Sequence, residues 1–306
     1  MFDSINSFSK ISNSGQFEFV DGLGGGINDN ITYSWGPKLD QGTLIAQFDS
    51  PVTLPDGTVV RGGDIAVHGG APITPTEFKS YKNNLRDFYN IGITSTNNIS
   101  ISNGFDKGAV RLSYTDLRSQ SFIPGVNLDR KNLSTKLDFN PTDKLKINAS
   151  INYVNSSSDN RPSNGYGSEN INYSLVAWGP RSLNIAALED YWQPGLEGIE
   201  QYSFNYTFFD NPYFILYENT NSFNRDRVFG NLSASYQFTD ELKLMIRSGV
   251  DYSYELRKFK RSYSTNRFQN GAYAEHVVGF RENNTDFLLN YAKIFGDITL
   301  DLSAGG

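Results

Sequence analysis

Apolar and polar positions alternate most clearly over residues 130–155, where RKNLSTKLDFN is followed by PTDK and then LKINASINYVN. Leu133, Thr135, Leu137 and Phe139 interleave with Ser134, Lys136 and Asp138; after the turn, Leu145, Ile147, Ala149, Ile151 and Tyr153 interleave with Lys146, Asn148, Ser150 and Asn152. A period of two gives each strand one apolar and one polar face, and Pro141, Thr142 and Asp143 supply the reversal. Taken alone, this hairpin fits a soluble antiparallel sheet with one wet face better than it fits a membrane barrel. Recurrence and the connections decide between them.

The unit recurs. Val228, Gly230, Leu232, Ala234, Tyr236 and Phe238 alternate with polar residues, Thr239, Asp240 and Glu241 make the turn, and Leu242, Leu244, Ile246, Val250, Tyr252 and Tyr254 alternate again. Further strands are predicted over 98–103 and 108–118 around NGFDKG, over 272–280, and over 286–294 with 298–304. That makes about nine strands after residue 96. Short turns at 104–107, 141–144, 239–241 and 281–284 fall on one end; long connections at 119–129, 157–223 and 257–271 fall on the other.

Transmembrane barrels sort their loops in this way, and their strands need only about ten residues. The predicted fold class is therefore all-β, part of a large antiparallel transmembrane β-barrel. Leu133, Leu137, Phe139, Leu145, Ile147, Ile151 and Tyr153 face lipid; Lys136, Asp138, Lys146, Asn148 and Asn152 face a watery lumen. Two regions are expected. Residues 1–96 are a loop-rich early barrel segment with a short helix near 77–88, from the spacing of Phe78, Tyr81, Leu85 and Phe88; residues 97–306 are barrel strands with a long outer loop at 157–223. Short helical turns are expected within that loop at 171–178 and 184–191.

Composition supports this picture. Of 306 residues, 14% are aromatic and none is cysteine, which suits strands and excludes disulfides and thiolate metal sites. A net charge of −6 with dispersed Lys and Arg argues against nucleic-acid binding. No apolar run approaches the roughly 20 residues of a spanning helix, a test to which barrels are blind.

Candidate chemistry is sparse. The glycine run at 22–30 lacks the Gly-Lys-Ser/Thr of a phosphate loop, and Asp29 within it lacks EF-hand spacing. The histidines are His68 and His276, both in turn- or strand-like contexts, and Glu189 with Asp190 reads as a solvated acidic pair. No catalytic residue, metal ligand or cofactor is predicted, and the chain is read as a non-enzyme. Binding residues are the better candidates. Trp178, Tyr191 and Trp192 in the long loop offer flat faces for a ligand or for packing. Lys258, Lys260, Arg261 and Arg267 would meet an anionic substrate or lipopolysaccharide, or simply water.

Four segments resemble the SusC/RagA-type TonB-dependent transporters, large outer-membrane barrels of Bacteroidetes-like bacteria. They are SWGPKLDQG from Ser34, NNISISNGF through SINY from Asn97 to Tyr153, NPYFILYEN through GVDY from Asn211 to Tyr252, and NTDFLLNYAKIFGDITLDLSAGG from Asn284. The resemblance implies a barrel of about 22 strands closed by an N-terminal plug. It also implies oligosaccharide or peptide cargo, energy delivered by TonB, and a SusD-like lipoprotein over the outer loops. Plug and TonB-binding segment are not seen, so the chain is expected to be an internal fragment, with TonB engaged through the N-terminal part not seen here. The rival reading is a soluble or secreted all-β carbohydrate-binding module.

Overall fold

The structure, a computed structural model, describes residues 38–306 other than Thr207. The glycine run at 22–30, with its phosphate-loop and calcium readings, lies outside the described residues, as do positions 34–37 of the SWGPKLDQG segment.

Eight strands form one antiparallel sheet: β1 (Ile93–Phe105), β2 (Gly108–Gln120), β3 (Asn127–Thr142), β4 (Leu145–Ser158), β5 (Asn221–Gln237), β6 (Leu242–Thr265), β7 (Phe268–Phe295) and β8 (Ile298–Gly305). Each pairs with its sequence neighbours, so the sheet is a plain meander, and it is not closed into a barrel.

Register converts the alternation into two chemically distinct faces. Ile101, Leu112, Thr135, Ile151, Gly230 and Val250 are in line across six strands, and Tyr114, Leu133, Tyr153, Val228 and Tyr252 form a parallel row two residues away. The opposite face carries rows such as Ser100, Ser113, Ser134 and Asn152. Ile101 and Ile151 are 68% and 57% exposed, so nothing among the described residues covers the apolar face there. Gly230 sits where a Cβ would run into the Ser150 carbonyl of the neighbouring strand, which explains the gap in its row.

The short turns climb across the sheet. Phe105, at the β1–β2 tip, is linked through Gly108, Phe139, Ile147, Ala234 and Ile246 to Phe287. From Phe287, β7 continues to its own tip at Phe295, eight residues further on. That slip is roughly 26 Å over six strand steps, or roughly 29 Å sideways, which corresponds to a strand tilt of roughly 40°. A sheet that closes as a transmembrane barrel needs a tilt of that size.

The structure departs from the predicted strands in three places. The basic stretch 257–271, expected as a long connection, is strand: β6 and β7 run through it and reverse at Asn266 and Arg267. Its charges read as a loop because their partners are remote, for example Glu275, which lies across from Lys258 at 3.3 Å. Residues 281–284, expected as a turn, pair continuously with Tyr252, Asp251, Val250 and Gly249 inside β7. The expected ninth strand is therefore the upper half of β7, and the Phe295–Ile298 reversal falls on the short-turn end with the others. Pro141, expected in the turn, lies instead in a bulge between Phe139 and Thr142, where the missing N–H costs no ladder bond.

The packed core lies at the long-loop end rather than on the sheet. Residues before β1 contribute Phe48, Val52, Val60, Ile73 and Phe88; the connection between β4 and β5 contributes Leu175, Leu188, Tyr202, Phe204 and Leu216. The first segment includes a helix at Asn84–Phe88, shorter than the spacing predicted because Thr76–Glu77 is strand. The connection contains helical turns at Ile171–Tyr173, Ser174–Trp178 and Ile185–Leu188 and a helix at Pro212–Glu218.

Candidate functional site

Arg61 joins the two loop segments. Its Nε and Nη2 donate to the Asp64 carboxylate at 3.0 and 2.9 Å, and its Nη1 and Nη2 donate to the Asp190 and Trp192 carbonyls, each at 2.7 Å. The guanidinium lies 3.6 Å from the centre of the Tyr202 ring, and the Tyr202 hydroxyl donates to the Phe48 carbonyl at 3.2 Å. Asp64 and Tyr202 are fully buried, so the fork and the ring contact are made away from water. Asn211 completes the scaffold: its Oδ1 caps the Pro212–Glu218 helix at Tyr213 N, 2.8 Å away, while its Nδ2 donates to the Leu188 and Tyr202 carbonyls.

The three aromatic candidates sit in this assembly in two groups. Trp178 stacks on Phe209 with ring centres 6.4 Å apart and meets Tyr173 edge-on, and Tyr173 contacts the exposed Tyr166. Tyr191 neighbours Trp192 at 5.6 Å and stacks on the half-exposed Tyr217 at 6.1 Å, while Trp192 meets Phe214 edge-on at 5.3 Å. The Tyr191 hydroxyl donates to Glu218 at 3.1 Å, and burial together with that carboxylate pushes its phenol up to about 12. Each candidate ring is therefore partly engaged in packing.

Three of the four basic candidates are paired. Lys258 meets Glu275, Lys260 meets Glu218 at 3.4 Å, and Arg261 meets Glu169 at 2.7 Å; the last two tie the long loop to the β6–β7 hairpin. Arg267 occupies the hairpin turn. His68 is held between the Gly62 carbonyl and the Gly70 N–H, and His276 lies against Phe259, so both have structural contacts. Asp190 accepts from Arg61, which ties half of the acidic pair into the scaffold.

Asp210 is a residue the sequence did not single out. It is 3% exposed, and its Oδ1 accepts from Gln201 Nε2 at 2.6 Å and from the Asn266 N–H in the hairpin turn at 2.8 Å. Burial pushes its carboxyl up to about 6, against the pull of those donors and of Arg267 and with a push from Glu169. A carboxyl protonated more readily folded than unfolded stabilises fully below about pH 4, and that contribution disappears as pH rises through about 6. Trp fluorescence melts of the full protein are expected to lose on the order of 3 kcal/mol across that window. Asp210→Asn is expected to flatten the dependence; an unchanged slope would assign it elsewhere.

On the polar sheet face, Arg227 pairs with Asp251, and Arg247 pairs with Asp286 across β6 and β7 at 2.9 Å. No cluster of three or more metal-binding side chains occurs among the described residues. The recess beside Ile45, Phe48 and Phe78 and that beside Arg161, Asn219 and Asn221 hold ≈ 250 Å³ each even with open solvent included. Enclosed ligand sites start at roughly 300 Å³, so neither recess is large enough to be one.

No family model and no curated protein matches the chain significantly. Among solved structures, the RagAB peptide transporter matches with a TM-score of 0.56 at 16% identity, over 74% of this chain and 25% of that one. The RagAB peptide importer in its closed-closed state matches with a TM-score of 0.53 at 17% identity, over 76% and 25%. Its open-open state gives 0.53 at 16%, over 74% and 25%. The chain thus spans about a quarter of the length of these transporters. The resemblance to SusC/RagA-type TonB-dependent transporters holds at the level of fold: the chain folds like part of the wall of such a barrel.

Proposed function

We propose that this chain is part of the barrel wall of a TonB-dependent outer-membrane importer that works with a SusD-like lipoprotein and performs no covalent chemistry. The observation carrying this reading is the tilted meander with one uncovered apolar face and one polar face. Such an apolar area far exceeds what soluble monomers leave exposed, and lipid is the solvent that suits it. The cargo is oligosaccharide or peptide, and the likeness to a peptide transporter supports the second. TonB is proposed to supply the energy for import.

Expression of the full gene followed by membrane fractionation tests the reading. Recovery in the soluble fraction would overturn it in favour of a carbohydrate-binding module. Within the importer, Trp178, Tyr191 and Trp192, each partly exposed, are proposed to offer the part of their rings left uncovered by packing to cargo. Trp178→Ala with Trp192→Ala in the intact transporter is expected to weaken cargo binding about tenfold, as loss of stacked aromatic contacts does. Unchanged affinity would assign both rings to packing alone.

A further inference from the structure

The tip of the β6–β7 hairpin is gripped by side chains of the long connection. Asn219 Oδ1 accepts from the Ser262 N–H at 2.9 Å and from Thr265 Oγ1 at 3.0 Å. Gln201 Nε2 donates to the Ser264 carbonyl at 2.6 Å, the Gln201 N–H donates to Ser264 Oγ at 3.2 Å, and that hydroxyl donates to Glu200 Oε2 at 2.9 Å. Asn266 Nδ2 donates to the Tyr206 carbonyl at 3.0 Å. Gln201, Asn219, Ser264 and Thr265 are all buried. The grip holds Ser264 at a φ of 67°, a left-handed backbone that strains a residue with a Cβ, and opening the grip relieves it.

Asp210 lies at the centre of this junction. Both of its donors, Gln201 Nε2 and the Asn266 N–H, converge on Oδ1, which leaves the other carboxyl oxygen to carry a proton. The charged groups around it are Glu169, already bonded to Arg261 on β6, Glu200 beside Gln201, and Arg267 in the hairpin turn. The Tyr206 phenol is engaged with the Gly63 carbonyl.

We propose that this junction is a proton-operated clasp: with Asp210 neutral the hairpin tip stays on the long connection, and loss of the proton frees it. A carboxylate needs hydration that the closed junction excludes, and release of the tip admits water. Burial pushes the Asp210 carboxyl up to about 6 only while the junction is closed. Closure is therefore fully favoured below about pH 4 and weakens as pH rises through about 6. The pairs of Lys260 with Glu218 and Arg261 with Glu169 anchor the hairpin beneath the tip, which confines the opening to residues 262–267 and their seat.

Hydrogen exchange of the full-length protein tests the clasp, with rates corrected for the intrinsic effect of pH on exchange. The amides of Gln201, Ser262 and Asn266 are expected to open about tenfold more often at pH 7 than at pH 5. Those of Tyr202 and Ile215, bonded within the long connection, are expected to show no such change. Asp210→Asn, whose carbonyl oxygen accepts the same two bonds, is expected to abolish the dependence, and Glu200→Gln to preserve it. Tip opening that ignores pH in the parent protein, or a dependence lost with Glu200→Gln instead of Asp210→Asn, would overturn the clasp. So would equal opening at Tyr202 and Ile215, because the whole connection would then be unfolding. The parent protein alone decides between these outcomes should Asp210→Asn misfold.

Discussion

Ile151→Arg is expected to cost about 2–4 kcal/mol of barrel assembly, whereas Asn152→Arg, one residue along, is expected to be nearly silent. Ile151 belongs to the uncovered apolar face, and its row runs through Ile101, Leu112 and Val250. Asn152 lies in the serine-rich row of the other face, where a charged head remains hydrated. The alternation alone points equally to Ile147. In the structure, however, Ile147 stands two residues from the end of β4 at Leu145, near the short-turn boundary, where the penalty falls toward 0–1 kcal/mol, about the interfacial value. The expected order is therefore Ile151 worst, Ile147 intermediate and Asn148 or Asn152 mild. Heat-resistant migration of the folded barrel after insertion into bilayers reads that order out. Equal sensitivity at Ile151 and Asn152 would mean that neither face meets lipid.

Arg61→Ala is expected to cost about 3–5 kcal/mol of loop stability, because it leaves the Asp64 carboxylate buried without its cation. The same change removes two bonds to the carbonyls of Asp190 and Trp192 and the cover over Tyr202. Arg61→Lys keeps the charge but has no planar fork to reach Asp64 and both carbonyls together, so it is expected to rescue only part of the loss. Hydrogen exchange in the full protein should quicken over 44–92 and 159–220 while the strands stay protected. Unchanged protection in the loops would show that the apolar cluster holds without the fork.

The sheet was legible because period-two alternation survives in β3, β4, β5 and the lower half of β6, and the repeated Thr-Asp turn signalled that one unit occurs twice. The upper halves of β6 and β7 were not legible. There Lys258 and Lys260 fall on one face while Arg261 shares the other with Phe259 and Tyr263, so both faces carry charge, and the acids that neutralise them come from β7 and the long loop. Arg61 ends a three-residue strand, Val59–Arg61, just before Gly62 and Gly63, too short to show a periodic pattern, and its importance comes from carbonyls far along the chain. Asp210 gave no signal either, since its burial depends on a hairpin turn read as open loop. The aromatic candidates were found by residue type, which cannot tell a ring that packs from one that waits for cargo.

The separation of Arg61 from Asp190, 129 residues, has a consequence for how the protein matures. Strands β1 to β4 lie between the two loop segments, so the outer core cannot close until those four strands have been threaded and both segments emerge on the same side. Closing so large a ring is slow unless the intervening strands already hold its ends together. The loop segments are therefore expected to acquire protection after the sheet, making their closure a late checkpoint that reports whether β1 to β4 paired in register.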